Sequence, residues 1–211
     1  GLRLECVPVL CHTIGSTAEI RAFRVIMRKS VIAALGALIM TSPVAAQEIA
    51  LDEVRAGVFY HSAYGGFLPT GNNWDFSRLE DVKFSALFTS PDIEAFRWIG
   101  SPRPEIGATL NFNGRENILH ANLNWQIPVF ETPLYLELGF GAAVTDGALS
   151  GATRPARNFG CSFNFYDSAG IGANVSENVT VTLRYEHISN LELCSPNDGL
   201  SNIGLMVGFK F

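Results

Sequence analysis

The sequence predicts an all-β fold, an eight-stranded antiparallel transmembrane β-barrel, on three observations. Eight segments alternate apolar and polar residues with period two. Several of them run to ten residues or more, long for a soluble sheet but suited to tilted strands that cross a bilayer. The last segment, LSNIGLMVGFKF, is apolar on one face and ends in Phe211, as outer-membrane barrels commonly do. With 15 Phe and 20 Gly, the composition suits strands and tight turns better than helices.

In order, the predicted strands cover 53–61, 81–90, 104–113, 117–128, 133–144, 161–175, 178–190 and 200–211. Helical periodicity is weak, with one ambiguous patch around Ile93–Trp98. In the fourth strand Leu119, Ala121, Leu123, Trp125 and Ile127 share one face, opposite His120, Asn122, Asn124 and Gln126. A soluble barrel hides its apolar face inside, whereas a membrane barrel turns it to lipid. Eight strands leave room for little beyond side chains, so Glu137, Arg184, Glu186, Asn122 and Gln126 are expected to fill the interior as a polar network. A lipocalin-like barrel or a sandwich is the soluble alternative. Short links at 127–133 and 175–178 are expected at the periplasmic end. The longer ones at 62–80, 145–160 and 191–199 are expected outside. By simple alternation Asp167 faces lipid, a costly position that a β-bulge or a shifted register in strand six would relieve.

Ahead of the barrel, residues 27–46 have the layout of a secretory signal peptide: Arg28 and Lys29, an apolar run from Val31 to Met40, then Pro43 and Val44-Ala45-Ala46. Residues 1–26 then read as an extension ahead of the true start, leaving 47–211 as the barrel. Export makes a disulfide between Cys161 and Cys194 plausible, since both fall at the outer end, with two free thiols as the alternative. The net charge of -5 comes without a basic patch or run, which argues against nucleic-acid binding. The sequence has neither zinc-ligand spacing nor a phosphate loop or dinucleotide signature, so no metal or cofactor is expected.

The chemistry concentrates in RYEHISNLELCSPNDGL, residues 184–200. His187 and Ser189 stand two apart and share the parity of Val179, Val181, Leu183 and Tyr185, so both face outward at the outer rim. A serine hydroxyl becomes a nucleophile when a base takes its proton, and imidazole can do that near neutral pH. Asn190 and loop N–H groups are candidate donors to a developing oxyanion. Facing lipid, such a site meets ester bonds without extracting the lipid. The bland alternative is that strand ends near headgroups tolerate polar groups.

HISN (187–190) followed by SPNDG (195–199) resembles the PagL family of outer-membrane lipid A 3-O-deacylases. WIGSPRPEIGATLNF (98–112) and the paired cysteines also suggest a divergent branch. The resemblance implies an eight-stranded barrel in the outer membrane of a Gram-negative bacterium. It implies lipid A or lipopolysaccharide as partner and hydrolysis of the 3-linked acyl ester by an outward His–Ser–Glu triad. His187 then matches the base, Ser189 the nucleophile and Asn190 a residue of the oxyanion site. Pro196, Asn197 and Gly199 match the structural loop. The family's acid falls at Ser201, which faces outward but carries no charge. Asp198 and Glu192 are the candidate substitutes. Glu186 points inward, His120 reads as a hydrogen-bonded interior residue, and His61 as a polar loop residue. Non-catalytic alternatives are a structural or adhesin-like barrel with a vestigial site, and a narrow channel. The sequence does not decide between a monomer and a homodimer.

Overall fold

The computed structural model describes residues 49–62, 78–153 and 156–211. The expected signal peptide and N-terminal extension, and most of the 62–80 loop, lie outside them. Eight strands form a closed barrel: β1 (Leu51–Tyr60), β2 (Leu79–Phe88), β3 (Arg103–Asn111), β4 (Ile118–Pro128), β5 (Leu134–Thr145), β6 (Phe163–Asn174), β7 (Val179–Ser189) and β8 (Leu200–Lys210). Each pairs antiparallel with its sequence neighbour. β1 closes on β8 from Glu53↔Lys210 to Tyr60↔Ile203, so these described strands leave no unpaired edge. Between β2 and β3 the patch at Ile93 forms α1 (Glu94–Trp98), a single helical turn whose Ile93 N-cap makes no side-chain capping bond.

The pleat sorts the side chains as the alternation predicts. Leu136, Leu138, Phe140, Leu183, Val207 and Phe209 point out and are 46–58% exposed. Glu53, Arg55, Lys83, Glu105, Glu137, Arg184 and Glu186 point in and are buried. An apolar exterior around a charged interior inverts a soluble barrel and matches one surrounded by hydrocarbon.

The interior satisfies its charges internally, because a buried unpaired ion costs several kcal/mol. Arg184 is the hub: its Nε donates to Glu137 Oε1 at 2.7 Å and its Nη1 to Glu105 Oε1 at 2.6 Å. Arg55 Nη1 donates to the other Glu137 oxygen at 2.5 Å, and Lys83 Nζ donates to Glu186 at 2.6 Å. His120 stacks on Tyr166 at 4.2 Å and bonds Asn122 Oδ1 at 2.8 Å, the filler role expected of it. Gln126 lies on the same parity, but its Nε2 finds no partner among the described residues.

Two expectations change. β6 carries no bulge: its pairing with β7 is continuous from Phe165↔Ser189 to Asn174↔Thr180, and its pairing with β5 is equally regular. Asp167 therefore keeps its outward position, directly opposite His187. His61 is not a loop residue in solvent. It is fully buried at the outer mouth, with Nδ1 2.9 Å from Asp81 and Nε2 3.0 Å from Glu116. The backbone N–H of Arg157 donates to Glu116 at 2.6 Å, and Arg157 Nη2 donates to Ser62 at 2.5 Å, which ties the 145–162 loop to the mouth.

Burial lowers the basicity of His61, but its bonds to the Asp81 and Glu116 carboxylates outweigh burial and raise its pKa. Burial acts to raise the Glu116 pKa, and the His61 and backbone hydrogen bonds outweigh it, leaving it lowered. The stabilisation from His61 is complete below its unfolded pKa of about 6.5 and fades as pH rises through the folded value. That from Glu116 is complete above about 4.3 and fades as pH falls through its own folded value. The mouth is therefore expected to be tightest between these limits and to loosen on the alkaline side. Amide exchange of residues 157–160 should accelerate above pH 7 beyond the intrinsic rate, and His61→Gln should abolish that increment. An increment that survives in His61→Gln rules out this origin.

Candidate active site at the outer rim

His187 and Ser189 lie in the last turn-ward residues of β7, and both are half-buried on its outward face. The antiparallel register gives His187 two direct cross-strand neighbours, Asp167 on β6 and Ser201 on β8. Ser189 stands opposite Phe165. Ile188, Leu200, Tyr166, Ile118, Ala143 and Phe159 form one buried cluster. Phe159 comes from the β5–β6 loop and is fully buried.

The imidazole is held through Nδ1. His187 Nδ1 lies 2.7 Å from Ser201 Oγ, and the Tyr185 hydroxyl donates to the same oxygen at 2.8 Å. The opposite ring edge lies against Gly199, whose φ is +58°. A Cβ there would come within 3.1 Å of His187 Cε1 and 3.5 Å of Nε2, so a side chain at 199 would displace the ring as well as strain the backbone.

The loop after β7 is organised by Asn190, which is 1% exposed. Its Nδ2 donates to the carbonyls of Phe159 at 2.6 Å and Cys194 at 3.0 Å, with Pro196 O at 3.5 Å. The side-chain amide expected at an oxyanion is thus committed to loop carbonyls. Asn197 Oδ1 accepts from Asn190 N at 3.1 Å, and Asn197 Nδ2 donates to Glu192 Oε1 at 3.3 Å. Leu191 and Glu192 turn the chain with φ of 52° and 62°. Asp198 Oδ2 accepts from Asn158 N at 2.9 Å and from Asn158 Nδ2 at 3.1 Å. The Cys161–Cys194 disulfide joins the same two loops, with Cα atoms 5.8 Å apart. The Asp198 and Glu192 bonds described here hold loop to loop.

The residues missed in sequence are Tyr185 and the Ser201 hydroxyl acting together. Parity placed both outward, but Tyr185 reads as one more amphipathic member of an apolar stripe. Among the described residues there is no group of three His, Cys, Asp or Glu able to hold a metal ion.

The profile of the family described as Lipid A 3-O-deacylase (PagL) matches residues 83–210. The lipid A deacylase PagL of Bordetella bronchiseptica is 31% identical over 116 residues, 51% of this chain and 61% of that protein. The lipid A deacylase PagL of Pseudomonas aeruginosa is 37% identical over 71 residues, 34% of this chain and 39% of that protein. The matched regions thus span less than two thirds of either relative. Among solved structures, the outer membrane enzyme PagL superposes with a TM-score of 0.49 at 20% identity, covering 74% of this chain and 97% of that one. The N-terminal β-barrel domain of Pseudomonas aeruginosa OprF superposes with a TM-score of 0.48 at 13% identity, covering 76% and 98%.

Proposed function

Because the chain belongs to the Lipid A 3-O-deacylase (PagL) family, we propose that it is a serine esterase of the outer membrane that removes the 3-linked acyl chain of lipid A. The observation that carries this reading is the held imidazole: His187, anchored through Nδ1 at the lipid-facing rim, with Ser189 two residues on along the same face.

His187 Nε2 takes the proton of Ser189, whose Oγ attacks the ester carbonyl. The tetrahedral oxyanion is met by backbone N–H groups of the 190–199 loop, since the Asn190 amide is occupied in shaping that loop. The protonated imidazole returns its proton to the departing sugar hydroxyl. Water, activated by the same nitrogen, then releases the fatty acid from Ser189. Lipid A enters sideways from the outer leaflet, its ester at the depth of the rim.

Purified protein, folded in detergent, is to be incubated with lipid A and the product weighed by mass spectrometry. The expected product lacks one ester-linked hydroxyacyl chain, and lipid A already stripped of its ester chains by mild alkali is expected to stay unchanged. Unaltered lipid A from several bacterial sources, with the barrel folded, would sink the reading. One observation favours a second reading, a non-enzymatic barrel with a vestigial site: the strand-eight position that would hold the acid is Ser201. That barrel would leave every lipid A sample intact.

Asp198→Asn and Glu192→Gln are each expected to change the deacylation rate by less than about threefold, within reach of one weak neutral hydrogen bond. Their carboxylates are occupied by Asn158 and Asn197. A hundredfold loss in either variant would make that residue the missing acid.

A further inference from the structure

We propose that Ser201 and Tyr185 are the positioning residues of His187, a neutral hydroxyl pair standing in for a triad carboxylate. The proposal rests on the esterase reading above.

Ser201 is the direct cross-strand partner of His187, and Tyr185 stands one diagonal step away, opposite Ile203. Directly paired Cβ atoms lie about 4.5–5.5 Å apart, so a side chain as short as serine spans the gap to the ring, and diagonal neighbours are within reach of a tyrosine. Both contacts are made, at 2.7 Å to Nδ1 and 2.8 Å from the phenol. Ser201 is only 1% exposed, so water does not readily replace either partner.

The hydroxyl's inventory permits this chemistry. A serine oxygen offers two acceptor positions and one proton. The Tyr185 O–H occupies one acceptor position and holds the oxygen in place. The other acceptor position receives Nδ1–H. That tautomer puts the basic lone pair on Nε2, which is what a base toward Ser189 requires. Nε2 lies on the ring edge near Gly199, and the β7–β8 register, if continued one step beyond Ile188↔Leu200, sets Gly199 opposite Ser189. When His187 becomes an imidazolium, Ser201 meets it with a dipole and not a charge. The arrangement sets geometry and tautomer but stabilises the cation less than a carboxylate does.

Tautomer and rate are measured together. In protein labelled with ¹⁵N-histidine, the His187 shifts are expected to report the Nδ1–H tautomer in the wild type and a mixture in Ser201→Ala. Ser201→Ala is expected to lower kcat about 10²-fold, the cost of a poorly placed catalytic group, with KM within about twofold. Tyr185→Phe should lower kcat about fivefold, the worth of one neutral hydrogen bond. Ser201→Asp should move the acid limb of the kcat/KM pH profile up by about one unit or more, as a nearby carboxylate favours the imidazolium. A merely structural role for Ser201 leaves that limb where it was. The proposal is overturned if Ser201→Ala keeps both the tautomer and kcat. It is equally overturned if Asp167→Asn costs as much as Ser201→Ala, because the orienting group would then be the β6 carboxylate. If the wild type deacylates nothing, the esterase reading fails, and the ¹⁵N tautomer still decides whether Ser201 holds the ring.

Discussion

Ser189→Ala is expected to bring lipid A deacylation down to the uncatalysed background, a loss of at least about 10³-fold, because the reaction then lacks its nucleophile. His187→Ala should cost about 10²–10⁴-fold, the usual worth of a general base. The two residues work as one unit, so the double variant should be no slower than Ser189→Ala alone. Each variant must first be shown to fold, by its β-sheet circular dichroism and by its heat-dependent shift on a gel. Both side chains sit on the outward face, away from the ion network of the interior, so the barrel is expected to tolerate the changes. Release of the hydroxyacyl chain followed over time is the measurement. A folded Ser189→Ala protein that keeps a tenth or more of the wild-type rate would remove Ser189 from the mechanism.

Arg184→Met is expected to give the largest loss of stability, about 3–5 kcal/mol, because removing one member of a buried ionic cluster strands the others. Arg184 is fully buried and binds Glu105 and Glu137 at once, and Glu137 is shared with Arg55. Without the guanidinium, Glu105 loses its principal cation and Glu137 keeps Arg55. The check is the urea midpoint in detergent micelles. Adding Glu105→Gln should recover part of the loss, since the stranded charge is then gone. A midpoint unchanged in Arg184→Met would mean that water or protonation replaces the pair at no cost. The activity of any folded Arg184→Met protein should stay near wild type, because Arg184 is buried on the inward face of β7 while His187 and Ser189 lie on its outward face.

Much of the architecture can be read from alternation alone. Period two assigns each residue of a strand to one of two faces, and a membrane barrel then decides which face is which. That logic put Arg184 and Glu186 inside, and Tyr185, His187 and Ser189 outside. It also placed Asp167 outside. The expected bulge is absent, and the carboxylate stays there beside His187. Burial in the outer loops was not legible. His61 follows the last residue of β1 and reads as a polar end, yet Asp81 and Glu116, from two other segments, close over it. Asn190 has the residue type of an oxyanion donor, but its amide is spent on the carbonyls of Phe159 and Cys194, one of them 31 residues away. No local pattern announces such contacts, because they depend on how two long loops fold against each other.

The sequence by itself determined the eight strands, their inward and outward faces, and the placing of His187 and Ser189 on one face of β7. These are consequences of side-chain periodicity within single segments, which chain geometry alone enforces. Only the tertiary structure decided what stands beside His187. Inter-strand register sets Ser201 on one side and Asp167 on the other, and it lets Tyr185 reach Ser201 across the β7–β8 pair. Register is a property of two strands and the loops that join them, so a missing carboxylate at position 201 could be seen in the sequence. The Ser201 and Tyr185 hydroxyls beside His187 could be seen only once the strands were side by side.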